Sequence, residues 1–441
     1  MAYTIGMISL GCPKNQVDGE RMLAALSDAG FRISNEIENC DVVIINTCGF
    51  IDAAKRESIE NILDMAEYKA SGIIKKIIVT GCLAERYKDE VKKELPEVDV
   101  VAGIGNNINI VDLVNRTLKG EEIVAIGKKE DLPLEGERVL TTPNYWAYLK
   151  IGEGCSNCCT YCAIPQIRGR FRSRTIESIV EEANALVDNG AKELILVAQD
   201  TTRYGEDLYG EPKLAELLRQ LCKIEKLQWI RMLYCYPDRL NDEVIDVIAS
   251  EEKVCNYIDL PLQHANGDIL KAMNRHGNRK ILTELIEKLR KKIPDLCIRT
   301  TFITGFPGET EEQFEELAEF VKDIKFDRLG CFAYSPEENT PAAKFENQID
   351  DDVKTHRGEL IMESQYGIVI ENNRKLIGSV FKVLVDDFDE ENGCYIGRSY
   401  REAPDIDGGI LFTSDKELKL GDFVDVTITD FNDYDLIGEC R

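Results

Sequence analysis

No apolar run in this sequence approaches the ~18 residues that a membrane-crossing helix needs, and the opening, MAYTIGMISLGCPKNQ, has no basic leader. Neither a membrane span nor an export signal is expected, and the expected location is cytoplasmic. Positive charge is also scarce: 54 Lys and Arg stand against 80 Asp and Glu, a net charge of −26. Binding to phosphates draws on clustered cations, so this balance argues against a direct nucleic-acid substrate and for a basic partner. Long internal repeats and low-complexity segments are missing too. The 441 residues must therefore be shared among ordinary domains, two or three at ~150 residues each. Hydrophobic residues make up 44% and charged residues 30%, a globular composition with material for several cores. Fifteen cysteines, an odd number in a chain without an export signal, do not suggest a disulfide framework, because the cytosol keeps thiols reduced. They are ligands or buried thiols.

The chain is α/β and multidomain. Over residues 1–120, short β-rich runs (TIGMISLG, DVVIINTCG, KKIIVTGC, VDVVAGIG) alternate with helical patterns, which predicts a doubly wound parallel α/β domain. Residues 121–140, rich in charge, Gly and Pro, read as a linker. Between 141 and 373 the alternation resumes with YWAYLKIG, ELILVAQD, WIRMLYCYP, NYIDLPLQ, CIRTTFITGF and RLGCFAYSP. Six βα units predict an open partial barrel, two short of the closed eightfold form. A long helix follows from Asp350 to Lys375. Residues 374–441 then turn to β runs (VFKVLVDDF, CYIGRSY, GGILFTS, FVDVTITDF) separated by Gly, Asp and Asn, a small all-β module. That module carries 8 basic and 16 acidic residues.

Two sets of cysteines carry chemistry. In GCSNCCTYC, Cys155, Cys159 and Cys162 are spaced Cys-x3-Cys-x2-Cys on the loop after the first barrel strand. Three thiolates suit an iron-sulfur cube whose fourth iron stays open, whereas structural zinc wants four closed ligands. With Cys158 added, the loop can also be drawn as a four-thiolate zinc site. Cys12, Cys48 and Cys82 each close one of three successive strands, and the carboxyl ends of parallel strands share one face, so these distant thiols can converge there. The alternative is three buried structural cysteines. The other cysteines lie singly, without ligand spacing.

Other residues face the same barrel mouth. His264 ends the fourth strand, as a candidate active-site residue or a satisfied structural histidine. Gln199 and Asp200 end the second strand. Gly305 and Gly308, in TFITGFPGET, allow close backbone approach to a nucleotide-like ligand or serve simply as turn residues. Arg168, Arg170, Arg172 and Arg174, in RGRFRSR, are the one dense basic run, open to RNA, carboxylate recognition or internal ion pairs.

At this point the chain resembles a known family. The Cys155, Cys159 and Cys162 loop on a six-unit barrel is similar to that of the radical S-adenosylmethionine (SAM) superfamily. Taken with Cys12, Cys48 and Cys82 and a carboxy-terminal module similar to a TRAM (OB-like) domain, the whole chain resembles the radical SAM methylthiotransferases. One branch of that family thiomethylates adenosine in transfer RNA, another an aspartate of ribosomal protein S-twelve. SLGCPKNQVD, NTCGFIDAAK, EGCSNCCTYCAIPQIRGRFRSR, DLPLQHAN, YSPEENTPAA and IGRSYREAPDIDG resemble the second branch. Cys158 departs from the usual cluster motif.

The resemblance implies two 4Fe-4S clusters and SAM as cofactors. Cys155, Cys159 and Cys162 would hold the cluster whose open iron takes SAM and whose electron releases a 5′-deoxyadenosyl radical. That radical would take hydrogen from the β-carbon of the target aspartate. Cys12, Cys48 and Cys82 would hold a second cluster carrying the methylated sulfur. Tyr161, beside the adenine, together with Gln199 and Gly305, would contact SAM. The partners implied are basic ribosomal protein S-twelve, an electron donor of the flavodoxin or ferredoxin type, and a sulfur donor. The acidic module, with Asp386, Asp387 and Asp389 as its densest run, would attract the basic protein. Its sign sets the transfer-RNA branch apart. Formation of 5′-deoxyadenosine would separate either enzyme from a non-catalytic iron-sulfur protein.

Overall fold

The computed structural model describes residues 3–440. Its first layer is a six-stranded parallel sheet ordered Arg32–Ile33, Thr4–Ser9, Val42–Thr47, Lys76–Gly81, Val100–Ala102, Ile123–Ala125. The run VVIINT is buried throughout, as expected of a parallel strand covered on both faces. The strands ending before Cys12, Cys48 and Cys82 are immediate neighbours. The helix Pro13–Asp28 opens with proline at its first position and Cys12 as cap residue.

The segment read as a linker is more structured than its composition suggests. Ile123–Ala125 extends the sheet at its edge, because a three-residue parallel strand needs only a neighbour and leaves little periodicity to read. Farther on, Arg138 bonds Glu20 at 2.6 Å and Glu182 at 2.7 Å, and Thr141 donates its backbone N–H to Glu20. The first helix and the barrel are strapped together there.

The second layer is the open barrel, with strands Trp146–Lys150, Glu193–Val197, Trp229–Met232, Tyr257–Asp259, Cys297–Thr304 and Arg328–Ala333 in spatial order. All pair in parallel. The two halves of three strands are linked by one bridge, from Ile230 of the third strand to Val254 in the segment before the fourth. The helix Asp351–Leu376 packs on the last strand, so residue 373 lies inside its final turn.

The third body is a closed five-stranded barrel ordered Val380–Asp389, Cys394–Arg398, Ile410–Ser414, Asp435–Cys440, Phe423–Asn432. Its fifth strand, DLIGEC, is missed by the pattern because Gly and two acids dilute it. This body caps the amino-terminal ends of the large barrel's strands. Arg398 meets Glu193 at 2.7 Å, Arg328 meets Glu402 at 3.0 Å, and Tyr257 donates its hydroxyl to Asp407 at 2.7 Å. Asp386 is turned inward against Arg398 at 2.7 Å, and Asp389 closes its own turn by accepting from Glu391 and Asn392. Of the three aspartates expected to attract a basic partner, Asp387 alone is exposed. The carboxyl ends of the large barrel's strands are left for the site.

Candidate active site

The loops bearing Cys12 and Cys48 are tied together by Asn15. Its Nδ2 donates to the carbonyls of Leu10 at 2.9 Å and Asn46 at 3.2 Å, while Asn46 Nδ2 donates back to the Asn15 carbonyl at 2.6 Å. Gly11 has φ +89, and a Cβ there would press on the Cys48 Cβ at 2.7 Å, so glycine is what lets the two cysteines approach. The three thiols act on one another. Burial pushes Cys48 up to about 12, and negative charge on Cys82 and Cys12 adds to it. Burial dominates at Cys82, which rises although Arg168 opposes it. Cys12 is half-buried, and although desolvation opposes it, Lys14, Arg168 and the backbone N–H of Asn15 bring its thiol below the usual value.

The barrel loop gathers the other three. Cys155 donates its N–H to the Gly169 carbonyl at 3.0 Å, and Ile164 N–H points at Cys162 Sγ at 3.4 Å. Burial, reinforced by Cys159, holds both the Cys162 and Cys155 thiols up, Cys155 to about 11. Asp200 positions this loop, accepting from Asn157 at 2.8 Å while Arg203 holds the other side of the same amide. Cys158 is exposed, with φ 53. Among the described residues no three His, Cys, Asp or Glu side chains are close enough to share one metal ion. Tetrahedral zinc with ~2.3 Å bonds needs thiolates about 3.8 Å apart, whereas a cube with an iron at each corner spreads its ligands wider. Three thiolates in each set are the donor chemistry that suits an iron-sulfur cube with one iron left open.

The two sets adjoin through Cys82. Cys82 packs on Ala163 and Ile167, in and beside the short helix Ile164–Arg168 that follows Cys162. Arg168, fully buried, donates to Asp18 at 2.8 Å, Glu153 at 3.0 Å and Asn15 at 3.0 Å. Lys150 joins Asp18 and Glu153. Arg174 likewise bonds Glu182 at 2.6 Å, and Arg172 donates to the Glu130 carbonyl. Internal pairing thus accounts for the basic run, and Arg170 alone of the four is exposed.

Gln199 reaches this network, its Nε2 donating to Glu153 at 3.4 Å, while its Oε1 is buried without a partner. That orphaned acceptor fits a ligand N–H or O–H. Tyr161 packs with Met273, Phe306 and Tyr334 next to the cysteines, and burial holds its hydroxyl well above the usual value. Gly305 has φ +67; its N–H goes to Glu309 at 3.0 Å, and a Cβ would strike Lys354, so only its carbonyl is free for a ligand. Gly308 keeps open space around it. His264 is fully buried: its Nδ1 accepts from Asn266 N–H at 2.9 Å, and its Nε2 lies 3.2 Å from a Glu309 carboxylate oxygen without making a hydrogen bond.

Several site residues carried no signal of their own. Arg275 lies 3.9 Å from Cys159 Sγ and stacks on Tyr236, whose hydroxyl is 3.6 Å from the same sulfur. Lys14, buried beside Cys12, sits 3.2 Å above the Tyr234 ring. A lysine inside the first helical turn next to a cysteine was a usable hint for the latter.

Comparison with known proteins matches this division. Residues 149–321 match the radical SAM superfamily, residues 4–103 an uncharacterized protein family, UPF0004, and residues 377–440 the TRAM domain. The ribosomal protein uS12 methylthiotransferase RimO of Lachnoclostridium phytofermentans is 51% identical over 435 residues, 98% of this chain and 99% of that one. Its counterpart in Desulforamulus reducens is 52% identical over 441 residues, covering 99% of each. Among solved structures, the radical SAM methyltransferase TsrM from Kitasatospora setae superposes with a TM-score of 0.57 at 12% identity, covering 87% of this chain and 77% of that one. The last likeness concerns the fold alone.

Proposed function

The chain belongs to the ribosomal protein uS12 methylthiotransferase family of radical SAM enzymes, and from that premise we propose that it places a methylthio group on the β-carbon of an aspartate of uS12 with two 4Fe-4S clusters, one in each cysteine set. The observation that carries this reading is the packing of Cys82 on Ala163 and Ile167, one and five residues beyond Cys162. That contact, between Cys82 and the segment that follows Cys162, supports a handover of sulfur between the two sets. Bound there, the clusters and SAM supply reductive cleavage of the sulfonium and the sulfur to be transferred.

The chain's own residues do the rest. Cys155, Cys159 and Cys162 hold one cluster, with Arg275 and Tyr236 against Cys159. Gln199 offers its free oxygen to SAM, Tyr161 lines the adenine side, and the Gly305 carbonyl closes the cleft. Cys12, Cys48 and Cys82 hold the other cluster on loops pinned by Asn15. Burial excludes water, which protects a carbon radical from side reactions. A flavodoxin or ferredoxin type donor supplies electrons, a separate donor the sulfur, and the setting is cytoplasmic. The excess of acid on the small barrel favours a basic protein over RNA.

The test is anaerobic reconstitution followed by turnover. About eight irons per chain are expected, four for each cube. Alanine at Cys155, Cys159 and Cys162 should remove half the iron and all 5′-deoxyadenosine. Alanine at Cys12, Cys48 and Cys82 should remove the other half and sulfur insertion, but leave SAM cleavage. Mass spectrometry of uS12 should show one SCH3 replacing one hydrogen on an aspartate. Modification of transfer RNA instead would overturn the substrate assignment.

A further inference from the structure

Arg168 uses its donors unevenly. Both Nη groups face Asp18, Glu153 and Asn15, but Nε is buried and has no partner. Arg174, Arg328 and Arg357 also bury an Nε without a partner; what sets Arg168 apart is that its unmatched N–H, which has lost its water, lies in the side chain that also holds Asn15 between the Cys12 and Cys48 loops. The carboxylates lie on the Nη side, and the guanidinium bears on Cys82. The positive end of the pair is thus turned toward the thiols. Through Nη2, Arg168 also holds Asn15, the residue that joins the Cys12 and Cys48 loops. A side chain of the barrel domain is built into the amino-terminal cysteine set.

We propose that Arg168 is a positioning residue of the amino-terminal cluster, that its free Nε–H donates to sulfur at the Cys12, Cys48 and Cys82 set, and that its buried charge raises that cluster's reduction potential. This rests on the two-cluster reading. Reduction adds negative charge to a cluster, and a fixed buried cation with a hydrogen bond to sulfur stabilises the more negative state. Arg168 also ends the helix that starts beside Cys162, so one short element holds both clusters in register.

The experiment uses the full chain with Cys155, Cys159 and Cys162 replaced by Ala, so that a single cluster is titrated. About four irons per chain are expected for one cube; their absence would sink the two-cluster reading and this proposal with it, whereas retained iron lets the proposal fail by itself. In that background Arg168→Gln, which removes the charge, should shift the one-electron equilibrium at least about tenfold toward the oxidised cluster, a midpoint lower by about 59 mV. Arg168→Lys keeps the charge but loses the planar fork, and should lower the midpoint less while changing the electron paramagnetic resonance line shape. If Arg168→Gln fails to hold iron, Arg168→Lys decides alone. An unmoved midpoint and line shape with iron retained, or an Arg168→Lys protein that no longer folds, would show that the arginine is only structural.

Discussion

Replacing Gln199 by Met separates ligand binding from stability, because the wild-type side chain is imperfectly satisfied before any ligand arrives. Its Nε2 donates weakly to Glu153 at 3.4 Å, and its Oε1 is buried with no partner. The amide cannot gain by turning over. Glu153 is buried, but Arg168 and Lys150 outweigh that burial and hold its carboxyl well below the usual range, so an amide oxygen turned toward it would face an anion. An unmatched buried acceptor costs roughly 1–3 kcal/mol, which a donor on SAM returns on binding. Methionine has nearly the same shape and neither polar atom. Gln199→Met should therefore leave folding stability equal or higher by about 1 kcal/mol in urea denaturation, while the affinity for SAM in anaerobic equilibrium dialysis falls about 10- to 100-fold. A folded, iron-loaded Gln199→Met protein that binds SAM as tightly as the parent would refute the assignment.

Three further outcomes follow from the joints between domains. Glu193→Ala leaves Arg231 and Arg398 facing one another in the floor of the large barrel; the loss should be about 3–5 kcal/mol, with the small barrel released to limited proteolysis. The same carboxyl sets an acid limit. Burial opposes its ionisation, but Arg398 and Arg231 prevail and hold it below the usual value. Its contribution is complete above the unfolded value of about 4.3 and is lost as pH falls through the lower folded one. A stability titration from neutral pH toward pH ~3 should thus fall more steeply for the parent than for Glu193→Gln. On the small barrel, Asp387→Lys should slow association with uS12 and flatten its salt dependence, whereas Asp386→Lys, placed against Arg398, should instead destabilise the protein. Equal effects of the two on association kinetics would count against docking through this face.

Much of the architecture was legible because it is periodic. Continuous apolar runs such as VVIINT and ELILV, each followed by a helical stretch, announce parallel strands, and GCSNCCTYC carries its three candidate ligands within eight residues. Cys12, Cys48 and Cys82 were legible by position, since three neighbouring parallel strands must end on one face. The strands Ile123–Ala125 and Asp435–Cys440 were not, as edges and short closing strands are decided by the neighbour they pair with.

By itself the sequence determined the α/β succession, the two cysteine sets and the acidity of the last module, all properties of local pattern or of sums over residues. Only the tertiary structure decided what those residues face. It turned three of four arginines in RGRFRSR inward, gave His264 to Glu309, set Asp386 against Arg398, and laid Cys82 on Ala163. A charge or a thiol acts through whatever lies within a few ångströms in a low-dielectric interior, and those neighbours come from residues up to hundreds of positions away.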